Sequence, residues 1–186
     1  EEFSNFARMP APVLRLENLS EICRQAIFLQ RNADADIDFR TELPDEPLYV
    51  KCDGHQIGQA ITNLLQNAVD CMERRKTDPD SAPRIILRLL ARDQSVVIEV
   101  EDNGPGLPAE GRERLTEPYV TTRQSGTGLG LAVVRKIMED HGGILVLEDA
   151  PGGGALVRLE LRRGEGGDGK GRKAVGRSEE KATHAS

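Results

Sequence analysis

The chain has 186 residues, enough for one domain with short extensions. Hydrophobic residues make up 38% and charged residues 30% of the chain, the balance expected of a soluble globular protein. Trp is absent, there are only four Phe and two Tyr, and the net charge is -6. Because nucleic-acid binding usually needs a basic surface and stacking aromatic side chains, we expect no nucleic-acid partner.

The sequence shows no apolar run of the roughly 18–20 residues that span a bilayer, and no signal-peptide pattern. It begins at Glu1 without Met, so we expect a fragment of a longer protein whose membrane anchor would lie upstream. Cys23, Cys52 and Cys71 are scattered and form no C-x-x-C pair, which favours reduced thiols over a zinc site or disulfides. We therefore expect a cytoplasmic fragment without membrane contact of its own.

In chain order, residues 1–9 are predicted as the end of a helix that Pro10 and Pro12 stop. Periodicity then predicts helices and strands in the following order: helix 18–31, strands 37–43 and 48–52, a helix capped by Asp53 that fades at 73–76, strands 84–91 and 95–101, helix 131–141, and strands 144–148 and 155–161. Residues 102–130 are predicted as a long functional loop, and the polar segment 164–186 as disordered. Paired strands with interleaved helices predict an α+β fold with helices on one face of a sheet.

One helix carries a line of polar residues. Asn63, Asn67 and Asp70 are spaced i, i+4 and i+7, so they project from one face of the predicted helix. Two carboxamides and a carboxylate in a line supply oxygen ligands suited to Mg²⁺. A solvated polar stripe is the alternative interpretation of this pattern taken alone.

A glycine turn follows the strand at 95–101. It reads Asp102-Asn-Gly104-Pro-Gly106, and its glycines allow a sharp turn and the close approach of a ligand. A buried carboxylate at Asp102 that accepts a hydrogen bond from an exocyclic amine would select adenine over guanine. An ordinary turn is the alternative, because D-N-G is a common turn signal.

A second glycine motif opens the helix at 131–141. Glycines at a helix N-terminus expose backbone N–H groups to an anion such as phosphate. A dinucleotide-binding Rossmann site would need a strand directly before the motif, whereas a long loop precedes it here. The residues of the motif are Gly126, Thr127, Gly128, Leu129, Gly130 and Leu131.

Taken together and in this order, the motifs resemble the ATP-binding catalytic domain of sensor histidine kinases, in the group shared with gyrase, the ninety-kilodalton heat-shock chaperone and the MutL repair protein. The matching segments are the N box at 63–70, the first glycine box at 102–106, the lid segment at 117–123 and the second glycine box at 126–131. The resemblance covers roughly residues 13–163. Residues 1–12 are similar to the end of the second dimerisation helix, and its linker, in nitrogen-regulation sensor kinases.

The resemblance implies a two-layer α/β sandwich, the Bergerat ATP-binding fold. Its mixed sheet would be covered on one face by about three helices, with a mobile ATP lid over residues 107–127. ATP and Mg²⁺ would be the cofactors.

The resemblance also implies roles for individual residues. Asn67 would coordinate Mg²⁺, and Asn63 would order the phosphate end of the nucleotide. ATP-hydrolysing relatives have a glutamate base at the position of Asn63, and an amide cannot accept a proton from water, so hydrolysis should be slow. Asp102 would accept from the adenine amino group. Arg123 would approach the terminal phosphate as a charge-assisted donor, the alternative being a solvated loop cation.

Further nucleotide-binding residues implied by the resemblance are Asp70, Gly104, Gly106, Thr122, Arg123, Gly126, Thr127, Gly128, Leu129, Gly130 and Leu131. The chain departs from the family pattern at two positions. Many kinases have Lys where Asp70 stands, and Arg74 or Arg123 would then supply the charge. Many have Thr or Ser where Ala155 stands, which predicts a modestly lower affinity.

The phosphoacceptor is missing from the chain, because His55, His141 and His184 all lack the His-Glu context of the dimerisation domain. We expect His55 and His141 to be structural. The γ-phosphate would go to a histidine of a separate dimerisation domain, through which the full-length kinase forms a homodimer. It would then pass to an aspartate of a response-regulator receiver domain. The full-length protein is expected in the bacterial inner membrane.

Three alternatives remain open at this point. The first is an ATPase of the chaperone or gyrase kind, against which Asn63 argues. The second is a nucleotide-free interaction module, against which the intact glycines and Asp102 argue. The third is a serine/threonine kinase of the same superfamily, such as an anti-sigma factor.

Overall fold

The computed structural model describes residues 9–34, 36–73, 82–120 and 128–163. Its helices and strands begin within one residue of the predicted positions, and a short strand, β1, is additional. The elements are β1 (Arg15–Asn18), α1 (Leu19–Ala33), β2 (Asp38–Glu42), β3 (Tyr49–Cys52), α2 (Gly54–Glu73), β4 (Arg84–Ala91), β5 (Ser95–Asp102), a 3-10 helix (Arg112–Thr116), α3 (Gly130–Asp140), β6 (Ile144–Asp149) and β7 (Ala155–Arg162).

The main sheet has five strands in the order β2-β4-β5-β7-β6. The β2–β4 pair is parallel and the other three pairs are antiparallel, so the predicted mixed sheet is confirmed. The hairpin predicted across residues 92–94 is the β4–β5 pair. β3 does not pair with β2, its neighbour along the chain. It forms a separate antiparallel ribbon with β1.

The core lies between the sheet and the three α-helices of the described residues. Because every second residue of a strand faces the same side, alternate apolar residues of β4, β5 and β7 meet the apolar faces of the helices. The largest fully buried side chains in this layer include Ile57, Ile61, Leu64, Leu65, Leu87, Ile98, Ile137 and Leu159. The result is the predicted two-layer α/β sandwich.

The other face of the sheet is covered by ion pairs. Arg88 of β4 contacts Glu42 of β2 at 2.7 Å and also pairs with Glu101 of β5. Arg158 of β7 contacts Glu99 of β5 at 3.0 Å and Glu148 of β6 at 2.9 Å. These charges alternate across all five strands, so this side needs no second helical layer. Long arginine stems cover the apolar sheet surface beneath them.

Several predictions fall on residues that the structure does not describe. They are the helix end at 1–8, most of the loop at 77–83 and the tail at 164–186. The domain limits at residues 12 and 163 stay predictions. Within the described parts of the chain, no helix has the length and apolar character needed to cross a membrane.

Candidate functional site

The N-terminus of α2 is held by Asp53. Its Oδ1 accepts hydrogen bonds from the backbone N–H groups of His55 and Gln56, both at 3.1 Å, and its Oδ2 accepts from Val13 at 2.9 Å. Burial raises the pKa of Asp53, but the three N–H donors and nearby His141 outweigh that effect and lower the pKa below its ordinary value. The predicted cap is therefore present and also anchors the incoming chain at Val13.

The polar face of α2 meets the N-terminus of α3. The Asn63 side chain lies with Nδ2 3.4 Å from the carbonyl oxygen of Gly130. A Cβ at Gly130 would lie 3.4 Å from Asn67 Oδ1, so glycine here leaves room beside the Asn67 carboxamide. Asp70, one turn further along, accepts from Gln66 Nε2 at 2.8 Å. The structure thus brings Asn63 and Asn67, which the spacing placed on one helix face, close to Gly130.

Asp102 lies at the end of β5 and is 6% exposed. Its Oδ1 accepts from the backbone N–H groups of Gly104 at 2.9 Å and Ala155 at 3.3 Å. Burial raises the pKa of this carboxyl group, the two N–H donors act against that shift, and Glu101 adds to it. The two N–H groups orient the carboxyl group through Oδ1.

The first glycine turn fits between α2 and the β6–β7 turn. A Cβ at Gly104 would lie 2.7 Å from Met72 Cε and 3.0 Å from Asp102 Oδ1, so a larger residue here would require these side chains to move. Gly106 has a φ of +82° and lies close to Gly154, where a Cβ would be 3.4 Å from the carbonyl oxygen of Gly154. Asp102 therefore lies near Met72 on α2, and Asn67 lies five residues back, about 7–8 Å along the helix axis.

Two residues shape this turn through contacts that the sequence did not predict. Asn103 accepts from the N–H of Arg84 at 2.8 Å and donates to the carbonyl oxygen of Ala82 at 2.9 Å, which ties the turn to the start of β4. Gly154 has a φ of +97°, and a Cβ there would lie 1.9 Å from the carbonyl oxygen of Asp102. The D-N-G signal indicated a turn, but no local signal indicated these contacts.

The long loop contains more structure than its composition predicted. After the 3-10 helix, Tyr119 has a positive φ of 66° and donates its N–H to the carbonyl oxygen of Gly128 at 3.1 Å. A Cβ at Gly128 would come within 2.7 Å of the Tyr119 carbonyl carbon. This contact holds Tyr119 against Gly128.

The other loop residues predicted to bind nucleotide lie partly outside the described part of the chain. Thr122, Arg123, Gly126 and Thr127 are outside the described residues. Leu129 is 4% exposed, so any contact with a phosphate would be through its backbone, and Leu131 is half-buried. Their nucleotide-binding roles stay predictions.

His141 has a structural position, as expected from its place at the end of α3. Its Nε2 accepts from the N–H of Asp53 at 3.0 Å, and its Nδ1 lies 2.7 Å from the carbonyl oxygen of Ile137. The ring thus links the end of α3 to the start of α2. His55 is exposed at the start of α2.

The three cysteines lie on separate elements, Cys23 on α1, Cys52 on β3 and Cys71 on α2. Cys23 and Cys52 are buried, and burial raises the pKa of each to about 12, which keeps them protonated and unreactive. Cys71 is half-buried beside Gly104. Among the residues that the structure describes, no group of three or more His, Cys, Asp or Glu side chains could hold a metal ion.

The class of protein follows from a family match over the same residues that build this site. Residues 52–165 match the family described as "Histidine kinase-, DNA gyrase B-, and HSP90-like ATPase". The match covers more than half of the chain, and the chain belongs to this family.

Similarity to individual proteins indicates the branch of this family to which the chain is most similar. The chain is 47% identical over 163 residues to the nitrogen regulation protein NtrY of Azorhizobium caulinodans, a match that covers 87% of this chain and 21% of that protein. It is 33% identical over 160 residues to a putative sensor histidine kinase NtrY-like protein of Rickettsia conorii, covering 86% of this chain and 26% of that protein. The chain thus spans about a quarter of the length of these relatives.

Solved structures of histidine kinases are also similar to this chain. The catalytic domain of histidine kinase ThkA matches with a TM-score of 0.69 and 31% identity, covering 81% of this chain and 96% of that one. Full-length ShkA in complex with AMPPNP matches at 0.72 and 28% identity, covering 86% and 34%. ThkA in complex with the response regulator TrrA matches at 0.70 and 26%, covering 87% and 45%. The chain is an NtrY-like ATP-binding domain of the sensor histidine kinase type, and the chaperone alternative is not supported.

Proposed function

We propose that this chain binds Mg²⁺-ATP and donates the γ-phosphate to a histidine of a dimerisation domain outside the chain. The observation that carries the proposal is the buried carboxyl group of Asp102. Its Oδ1 is held by the N–H groups of Gly104 and Ala155, which leaves Oδ2 to accept from a ligand. Adenine offers an amino group where guanine offers a carbonyl oxygen, so this carboxylate favours adenine.

The phosphates would lie at the other end of the polar face of α2. There the Asn67 carboxamide faces the N-terminus of α3 at Gly130, whose missing side chain leaves space for a ligand. Helix N-termini favour anions. Thr122, Arg123, Gly126 and Thr127, together with the backbone around Gly128, Leu129 and Leu131, belong to this phosphate end in the proposal.

The residues present fit a magnesium ion that is shared with the nucleotide. Asn67 offers a neutral amide oxygen, and the described residues hold no acidic cluster that could bind the ion alone. Mg²⁺ is commonly bound by one or two protein oxygens together with phosphate oxygens and water. When bound, the ion would neutralise phosphate charge during transfer.

The side chain of Asn63, one helical turn before Asn67, favours transfer of the γ-phosphate over hydrolysis of ATP. Asn63 donates towards the carbonyl oxygen of Gly130 and carries no basic group that could take a proton from water. The domain would therefore hold ATP until an acceptor arrives, and positioning would provide most of the catalysis.

The likeness to kinases with known partners supports the rest of the proposal. ThkA, which resembles this chain, was solved with a response regulator, and we propose a receiver domain as the final acceptor here. The dimerisation domain, with its phosphoacceptor histidine, would come from the full-length protein and make it a homodimer. The chain itself would be a cytoplasmic domain of a kinase in the inner membrane, a proposal that its similarity to NtrY supports.

Phosphotransfer in trans tests this proposal. The chain is mixed with the separately produced dimerisation domain of the full-length protein and with ATP labelled at the γ-phosphate. We expect acid-labile label on the dimerisation domain, lost in Asn67→Ala but kept in Gln59→Ala, an exposed position on the same helix. Acid-stable label would favour a serine/threonine kinase, and free phosphate without labelled protein would favour an ATPase.

A further inference from the structure

Arg112 bridges two segments on either side of Asp102. It lies at the start of the 3-10 helix, within the predicted lid at 107–127, but the sequence assigned it no role. Its Nε donates to the carbonyl oxygen of Pro108 at 2.7 Å, and its Nη2 donates to Asp149 Oδ1, also at 2.7 Å. One guanidinium group therefore joins the segment after the first glycine turn to the end of β6.

Both of these segments reach the carboxyl group of Asp102. In the β6–β7 register Asp149 is the direct partner of Ala155, whose N–H donates to Asp102 Oδ1. On the other side Pro108 follows the glycine turn, where Gly104 donates the second hydrogen bond to the same oxygen. The two donors that orient Asp102 thus lie on the two segments that Arg112 joins.

The same two segments also touch each other without help from side chains. Gly106, two residues before Pro108, lies against the carbonyl group of Gly154. The two segments are therefore joined twice, by the backbone contact between Gly106 and Gly154 and by the Arg112 side chain. The contacts form a ring that runs from Asp102 through the glycine turn, Arg112 and β6–β7 back to Asp102.

We infer that Arg112 is a positioning residue for nucleotide binding. By holding Pro108 and Asp149 together it keeps the Gly104 and Ala155 N–H groups on Asp102 Oδ1, and so directs Oδ2 towards the base. This inference rests on the proposed function of Asp102 as the adenine acceptor. Lysine would replace Arg112 only in part, because its compact ammonium lacks the planar fork that spans two acceptors.

Arg112→Gln tests the inference, with Arg114→Gln as the matched control. Arg114 lies on the same 3-10 helix, and its side chain pairs with exposed Glu117 at 3.5 Å rather than with β6. Because the Arg112 side chain is 33% exposed, the effect should be moderate. We expect the ATP dissociation constant to rise about two- to fivefold in Arg112→Gln and to stay unchanged in Arg114→Gln.

Two further measurements separate positioning from general destabilisation. Without nucleotide, amide hydrogen exchange at Gly104 and Ala155 should become faster in Arg112→Gln, while the thermal midpoint stays within a degree or so of the control. Asp149→Ala should weaken ATP binding as much as Arg112→Gln does, and the double variant should be no weaker than either, because both changes open the same bridge. Arg112→Lys should be intermediate.

The outcomes distinguish this inference from the proposed function. If the wild-type chain binds ATP and Arg112→Gln binds it equally well, the inference is wrong and the proposed function stands. If the wild-type chain binds no ATP, the proposed function is wrong. In that case faster exchange at Gly104 and Ala155 in Arg112→Gln still supports the bridge, and unchanged exchange overturns it. Additive effects of the Arg112 and Asp149 changes would also overturn it.

Discussion

Ionisation of Asp102, which ligand binding requires, lowers the stability of the fold. Burial raises the pKa of Asp102, so the folded chain holds a proton there more tightly than the unfolded chain does. The stability that this group contributes is thus present at low pH and is lost as the pH rises through its folded-state pKa. The ionised carboxylate is needed to accept from a base, and two backbone N–H groups offset part of its cost.

Gly154 makes that arrangement possible, and its substitution gives the first prediction. A Cβ at this position would lie 1.9 Å from the Asp102 carbonyl oxygen, and the φ of +97° disfavours any other residue. We expect Gly154→Ala to lower the free energy of unfolding by about 3 kcal/mol. Gly152→Ala, in the same turn but with open space around it, should change it by less than about 0.5 kcal/mol. Equal effects of the two variants in urea unfolding would contradict this view of the turn.

At the scale of elements, α2 connects the parts of the site. Its start is joined to the incoming chain by Asp53 and to the end of α3 by His141. Its middle faces the start of α3 through Asn63, and its last turns pack against the first glycine turn through Met72. A shift of this helix would therefore move both ends of the candidate nucleotide site at once.

Asp53 gives a prediction at this scale. Asp53→Ala removes the acceptor for three backbone N–H groups and should cost about 1–2 kcal/mol of unfolding free energy at pH 7. Asp53→Asn, which keeps one acceptor oxygen, should cost less. Because the folded-state pKa of Asp53 is lowered, its ionised form stabilises the fold above the ordinary value of about 3.9. That contribution is lost as the pH falls through the lowered pKa.

Urea unfolding of the wild-type chain and Asp53→Ala at a series of pH values checks this prediction. The stability difference between them should be largest near pH 7 and should shrink below about pH 4. A difference that does not depend on pH would show that the Asp53 charge plays no part in holding the start of α2.

At the scale of the whole molecule, the sheet is stabilised differently on its two faces. One face packs against apolar helices, and the other carries the alternating ion pairs centred on Arg88, Glu99 and Arg158. Glu99 is only 10% exposed in its side chain and lies between Arg88 and Arg158. The site itself lies at one end of the helical face, where β5 ends.

Removal of Arg88 should therefore be costly. Arg88→Met keeps an apolar stem but leaves Glu101 and Glu42 without their partner, and we expect a loss of about 2–3 kcal/mol. Arg40→Met breaks an exposed pair with Asp38 and should cost less than about 1 kcal/mol. Thermal unfolding in low salt and in 1 M NaCl checks this, since salt should reduce the repulsion among the carboxylates. Equal losses of stability in the two variants, unchanged by salt, would contradict this prediction.

The sequence predicted the elements with clear periodicity and the positions on them of the candidate site residues. Asn63 and Asn67 share one helix face and Asp102 ends a strand, so their spacing and order were sufficient. β1 was missed because its residues Arg-Leu-Glu-Asn show no alternation of apolar and polar side chains, unlike those of the equally short β3. Arg112 was missed because its partner Asp149 is distant in the sequence, and only the folded chain brings the two together.

The most direct test of the central claim is calorimetric titration of this chain with ATP and ADP in the presence of Mg²⁺, with GTP as the specificity control. Asp102→Asn is the matched variant, because its amide oxygen can still accept from Gly104 and Ala155 while its charge is removed. We predict binding of both adenine nucleotides by the wild-type chain, no binding of GTP, and a loss of ATP binding in Asp102→Asn. Equal binding of ATP and GTP, or ATP binding that persists unchanged in Asp102→Asn, would contradict the assignment of this site.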